Sequence, residues 1–209
     1  MPEINTALVQ AFTEKARMVA ATVVEKASIA EALDYVVQIC KAKKPCELLA
    51  QENVEKGPNG PNGVPTRVTK IIAAPDLAQD DFDALKALAE KEGFACINSG
   101  VRKHLAGIDV GVSFAELGVA ASGTCMCNTD KEDVRLAGMI SEIHAVLVKK
   151  STIYPDLPSI VQLLRKRMNS QPGTFTTLIT GPSRTADIER VSAIGVHGPL
   201  ELHIILLEA

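Results

Sequence analysis

The sequence predicts an α/β fold: an open, mostly parallel sheet with helices on both faces and an N-terminal helical cap. Three observations lead there. From Val68 onward, short apolar runs alternate with amphipathic segments long enough to serve as crossovers, and a parallel strand pair needs a crossover of about a dozen residues, usually a helix. The runs themselves, such as Ile71-Ile72-Ala73-Ala74 and Leu202 to Leu207, are almost continuously apolar, the pattern of strands covered on both faces. Finally, 209 residues bury a substantial core and sit a little above the usual size of one domain. A single domain over 1–209 is expected, with residues 1–45 as its N-terminal helical part.

Taken in order, residues 4 to 24 carry a helical pattern through Leu8, Phe12, Ala16, Val19 and Val23. Ser28 and Glu31 have capping-box spacing, and Ile29, Ala32, Leu33, Val36, Val37 and Cys40 form one apolar stripe, so a second helix starts there and packs against the first. Residues 53 to 66 hold Pro58-Asn59-Gly60, Pro61-Asn62-Gly63 and then Pro65. Such punctuation predicts a loop, either a mobile lid over a ligand or a plain surface insertion. A strand over 70–74 stops at Pro75, and a helix over 80–92 presents Phe82, Leu85, Leu88 and Ala89 before Gly93 ends it. Phe94 to Ile97 is the next buried strand. Asp109 to Val119 and Thr124 to Cys127 are strands, and a short helix from Glu132 to Ile140 leads to a strand from Ile143 to Val148. Pro158 opens a helix over 158–168 whose Ile160, Val161, Leu164 and Met168 face inward. Phe175 to Thr180 and Leu202 to Leu207 complete the set.

Composition narrows the function classes. Twenty-two basic against 25 acidic residues give a net charge of −3, with no electrostatic footprint for nucleic acid. Lys41, Lys43, Lys44 and Arg165-Lys166-Arg167 read as solvated helix ends. Glu3 and Glu14 interrupt the N-terminus, and no apolar run reaches signal-peptide or membrane-spanning length, so a cytoplasmic protein without membrane insertion is expected. The five cysteines read as reduced packing thiols. Cys125 and Cys127 would share one face of a strand, but no third or fourth ligand stands near them in sequence, so no metal or other cofactor is assigned to the chain.

The most informative stretch is Ile179 to Glu189, where an apolar segment stops at Gly181-Pro182 and opens onto helix-like sequence. A helix beginning near Ser183 would aim unpaired N–H groups outward, and Ser183, Arg184 and Thr185 would add side-chain donors. The expectation is a small-anion site, for carboxylate or phosphate, at Gly181, Ser183, Arg184 and Thr185. Asp187 would orient Arg184 or cap the helix; a structural pairing of Arg184 with Asp187 or Glu189 is the other reading. His197, between Gly195 and Gly198, either meets the ligand or bonds its own turn. Ser122, Gly123 and Thr124 occupy a second junction and are expected to share the cleft, at strand C-terminal ends as in other open α/β sheets. His104, His144 and His203 read as structural or exposed. The sequence carries no nucleophile elbow, Walker-A lysine or dinucleotide glycine pattern.

The run from Gly181 to Glu189, followed by Gly195-Val196-His197-Gly198-Pro199 and the apolar tail, resembles the lactate utilisation (LUD) family in its stand-alone, LutC-like type. A second family element, Ala-Glu-Thr-Gly-Thr after a strand, stands here as Ala120-Ala121-Ser122-Gly123-Thr124. Ala121 replaces the Glu, and Ser122 the Thr. A carboxylate there could act as base or covalent nucleophile; Ala121 can do neither, and Glu116, five residues away along a strand, faces the opposite side. No catalytic residue is therefore assigned, and whether the chain is an enzyme stays open. The resemblance implies an open α/β fold similar to ribose-phosphate isomerases, glucosamine-phosphate deaminases and coenzyme A transferases. It also implies a non-redox subunit of a system that oxidises L-lactate to pyruvate with iron–sulfur partner proteins. The clusters reside in those partners, which carry the electrons, while the anion site holds a carboxylate. The alternative is an independent enzyme or sensor for a phosphorylated or coenzyme A-linked metabolite, and a third class is a pure assembly scaffold.

Overall fold

The computed structural model describes residues 4–170, 173–185, 193–194 and 198–208. Asn5 caps the first helix, α1 (Thr6–Met18), by accepting the Leu8 N–H at 3.2 Å. The helical pattern reached residue 24, but the chain leaves the helix at Val19, passes Ala20 at a φ of 67° and runs as strand β1 (Thr22–Lys26). Thr22, Val23 and Val24 are consecutive β-branched residues, which favour extended backbone, and Val23 suits either period. Helix α2 (Ile29–Ala42) opens with the capping box: Glu31 N–H donates to Ser28 Oγ at 3.3 Å and Ala27 N–H to the Glu31 carboxylate at 3.2 Å.

With β1 between them, α1 and α2 do not form the expected helix pair. Phe12 and Ala16 of α1 pack with Val23, Val146, Ile204 and Leu206, whereas Val36, Val37 and Cys40 of α2 pack with Ile72, Val110, Ala145 and Ile205. These are alternate residues of the same strands, so the helices cover opposite faces of one sheet.

Residues 53–66 also differ from the expected loop. Strands β2 (Lys56–Asn59) and β3 (Pro65–Arg67) form an antiparallel hairpin; Pro58 and Asn59 lie in β2 and Pro65 opens β3, and residues 60–64 make the tip, where Gly63 has φ 76° and Gly60 N–H donates to Val64 O at 2.8 Å. The tip is tied to Glu47, which accepts from the Asn62 backbone at 2.9 Å and from its side chain at 2.8 Å.

The chain continues through β4 (Ile71–Ala73), α3 (Gln79–Lys91), β5 (Ala95–Ile97), β6 (Ile108–Val119), β7 (Thr124–Asn128), α4 (Glu132–Ile140), β8 (Ser141–Lys149) and β9 (Ile153–Tyr154). Then come α5 (Leu157–Met168), β10 (Thr176–Ile179), β11 (Arg184–Thr185), β12 (Ala193–Ile194) and β13 (Glu201–Leu207). The main sheet is parallel in the order β1-β13-β8-β6-β4-β5. Strand β6 serves twice. Its first half lies between β4 and β8, and from Ala115 onward, across a register shift between Ala115 and Leu117, it pairs antiparallel with β7, which pairs with β10. The result is an open, mostly parallel α/β sheet with an antiparallel ribbon growing from its middle strand.

Helix α4 lies across β6 on the α1 face. A side-chain carbon at Gly111 would stand 2.0 Å from Ala137 O, so glycine is required for that close approach. On α5, Ile160 is buried and Leu164 packs beside it against Leu117, Val119 and Met126, but Val161 and Met168 are exposed, contrary to expectation. The ribbon beneath α5 is too narrow to cover more than one stripe. At the amino ends of the strands, fully buried Asp109 accepts from Lys43 Nζ at 2.7 Å, Cys46 N–H at 3.1 Å and Ile71 N–H at 2.8 Å. Lys43 also reaches Glu142 at 3.0 Å. Among the described residues, no helix is long and apolar enough to cross a membrane.

Candidate functional site

A cavity of about 310 Å³ lies on the α1 face of the sheet, between α4 and the β7–β10 ribbon. Val134, Arg135, Gly138 and Met139 of α4 form one wall; Cys127, Thr129 and the segment from Thr177 to Ile179 form the other. The chain from Thr180 to Ser183, with Gly198 and Pro199, closes one end. Ser113, His144 and Leu202 lie at its base.

Ser113 and His144 come from adjacent parallel strands. In register, His144 sits beside Gly111, and Ser113, two residues further along β6, shares that face. Their Oγ and Nε2 atoms are 2.9 Å apart in a shared hydrogen bond, and the residues are only 2% and 3% exposed. Small residues on α4 make the space: a side-chain carbon at Gly138 would lie 3.0 Å from His144 Cε1. Burial pushes the His144 imidazole down to about 4, since a charged ring would lose its hydration and no carboxylate among the described residues replaces it. The ring is therefore neutral near pH 7, with one donor and one acceptor nitrogen.

Arg135 brings the cation. Its Nη1 donates to Thr129 O and to Asp130 O, and the guanidinium lies over the Phe175 ring at 4.4 Å, which fixes its plane at the wall. Thr129 and Thr177 join their hydroxyls across the ribbon at 2.9 Å. The Cys127 thiol is pushed up to about 12, by burial first and then by the Asp76 and Glu116 charges, so it stays protonated and unreactive. Among the described residues, no three or more His, Cys, Asp and Glu side chains are grouped to hold a metal ion.

The residues singled out from sequence divide around this cavity. Gly181 and Ser183 line it. The helix expected at Ser183 is not there: Arg184 and Thr185 form β11, paired antiparallel with β12, and the Ser183 N–H donates to Pro199 O at 3.0 Å. Gly181 takes φ 73° and turns the chain, and Arg184 and Thr185 pair in a ladder rather than opening a helix. Arg184 is exposed and does not line the cavity. Asp187 and His197 lie outside the described residues.

Ser122 and Gly123 lie in the turn between β6 and β7, and Thr124 opens β7. A side-chain carbon at Gly123 would lie 2.3 Å from Ala16 N, so this turn seats α1. None of the three lines the cavity, but a hydroxyl chain runs from Ser122 to Thr124 at 2.6 Å and on to Thr180 at 2.7 Å, and Thr180 does line it. The cavity also departs from the strand C-terminal ends, since His144 and Leu202 stand near the amino ends of β8 and β13. Sequence reasoning passed over Ser113 and Arg135 and read His144 as structural. Nothing local marks them, because it is the β6–β8 register that brings Ser113 and His144 together.

The family described as the LUD domain matches residues 9–207. A "Lactate utilization protein C" of Macrococcus caseolyticus is 35% identical over 102 residues, 48% of this chain and 44% of that protein. A protein of the same name from Bacillus subtilis is 32% identical over 101 residues, 47% of this chain and 42% of that protein. The matched stretch thus spans less than half the length of these relatives. The crystal structure of a DUF162 family protein from Deinococcus radiodurans covers 96% of both chains with a TM-score of 0.59 at 13% identity, a likeness of fold.

Proposed function

Because the chain belongs to the LUD domain family, we propose that it serves lactate utilisation as a non-redox subunit of a system oxidising L-lactate to pyruvate, with iron–sulfur partner proteins. Its own contribution is a site for a small carboxylate in the cavity between α4 and β10. One observation carries this reading: Gly181, Pro182 and Ser183, from the motif that bears the family likeness, line the same cavity as Arg135 and the Ser113–His144 pair. The relatives named for lactate utilisation support the choice of acid. At about 310 Å³ the space stands at the small end of ligand sites and suits a three-carbon acid. The Arg135 fork and the Ser183 hydroxyl supply donors for a carboxylate, and Arg184, next in the chain, adds positive charge nearby. Oxidation of lactate removes two electrons and two protons, and no electron-transfer step is assigned to this chain.

Calorimetric titration with L-lactate and pyruvate tests the site. The acids are expected to bind, and Arg135→Ala to weaken them by about ten-fold or more, as loss of a charge-assisted hydrogen bond implies. If neither acid binds while inorganic phosphate or coenzyme A does, the reading as an independent enzyme or sensor replaces this one. For the partners, co-expression with cluster proteins should give a complex whose clusters are reduced by lactate only when this chain is present.

A further inference from the structure

We propose that the Ser113–His144 pair recognises the C2 oxygen of a small 2-hydroxy or 2-oxo acid and does so in either oxidation state. The inference rests on the carboxylate reading above and deepens it. Buried polar groups among apolar neighbours cost free energy unless hydrogen-bonded. In register Val146 stands beside Ser113 and Leu202 beside His144, yet among the described residues Ser113 and His144 have one side-chain hydrogen bond, to each other. A hydroxyl and a neutral imidazole together keep donor and acceptor capacity beyond that one bond. Both residues line the cavity, where a ligand would meet that remaining capacity.

The pair is also reversible. When Nε2 carries the ring proton it donates to Ser113 Oγ, and the serine proton is free for a ligand carbonyl. When Nε2 is bare, Ser113 donates to it, and Oγ accepts from a ligand hydroxyl. Neutrality is essential, because an imidazolium could only donate, and burial of His144 maintains it. Because the two residues belong to adjacent central strands, a change of ring tautomer and hydroxyl rotamer suffices, with no backbone movement. A subunit with this device retains its ligand on both sides of the two-electron step.

Calorimetry with L-lactate, pyruvate and propionate, which lacks the C2 oxygen, tests the pair on wild type and Ser113→Ala. Wild type is expected to bind lactate and pyruvate within about three-fold of each other and both about ten-fold tighter than propionate, the scale of one hydrogen bond. Ser113→Ala should abolish that advantage and leave propionate binding unchanged. If wild type binds all three acids alike, or Ser113→Ala keeps the discrimination, the pair is not the recognition element while the carboxylate site stands. If no acid binds wild type, both readings fall. Should the variant not fold, the imidazole nitrogen resonances of His144 in wild type decide: lactate must move them and propionate must not, and equal shifts overturn the assignment.

Discussion

His144 shows how far one residue's surroundings outweigh its type. With a folded-state value of about 4 against roughly 6.5 in the unfolded chain, the unfolded state takes up the proton between those values and the folded state does not. Stability from this residue is therefore complete above about pH 6.5 and is lost as pH falls toward 4, by roughly 3 kcal/mol in all. Urea unfolding of wild type and His144→Gln at pH 7.5 and 4.5 should show the wild type losing about 2.5 kcal/mol more than the variant, the greater part of that total. A difference that stays flat with pH would mean that the ring is already charged in the fold. From the sequence alone His144 was one of several histidines without a role, because its partner Ser113 stands 31 positions away and only strand register joins them. Gly181 was legible, since a Gly-Pro turn after an apolar run needs its left-handed backbone whatever follows.

Elements were legible where their signals are local. The Ser28–Glu31 box and the α3 stripe ending at Gly93 lie within the span of the helices that they define. Strand β1 was missed because Val23 satisfies a helical and an extended period alike, and its pairing partner β13 lies at the far end of the chain. The same applies to β11, whose ladder partner β12 follows several residues later. In the β2–β3 hairpin Pro61, Asn62 and Gly63 do stand in the turn, but Pro58, Asn59 and Pro65, read as turn formers too, lie in the strands, and the anchor, Glu47, comes before them in sequence. Glu47→Ala should release the tip. Amide exchange at Asn62 and Gly63 is expected to speed up by at least ten-fold while β4 and β8 keep their protection. Unchanged exchange would show that the turns hold themselves.

Across the whole molecule, Asp109 gathers the end of α2, the segment at Cys46, β4 and β6 onto one buried carboxylate. Burial alone would lower the Lys43 ammonium, but Asp109 and Glu142 hold it above its ordinary range. Asp109→Ala would leave that cation to Glu142 alone and strand two buried backbone N–H groups, and a loss of about 2–4 kcal/mol is expected, because each buried donor left unsatisfied costs about 1–3 kcal/mol. Denaturant unfolding measures it, and a loss under about 1 kcal/mol would show that water replaces the carboxylate. The general α/β order was legible because alternation of strands and helices is a global pattern. The cavity was not, since it arises where the antiparallel ribbon folds back over a face that the parallel strands alone would leave to helices.

Strand β6 gives that ribbon its mechanical character. The cavity floor at Ser113 and the ribbon wall at Cys127 hang from one continuous beam, with the register shift between Ala115 and Leu117 as its bend. A change in the spacing between this floor and this wall flexes that strand at its bend, so the strand's stiffness resists it. A load applied at the ribbon's outer end would be transmitted to the cavity as a change of width.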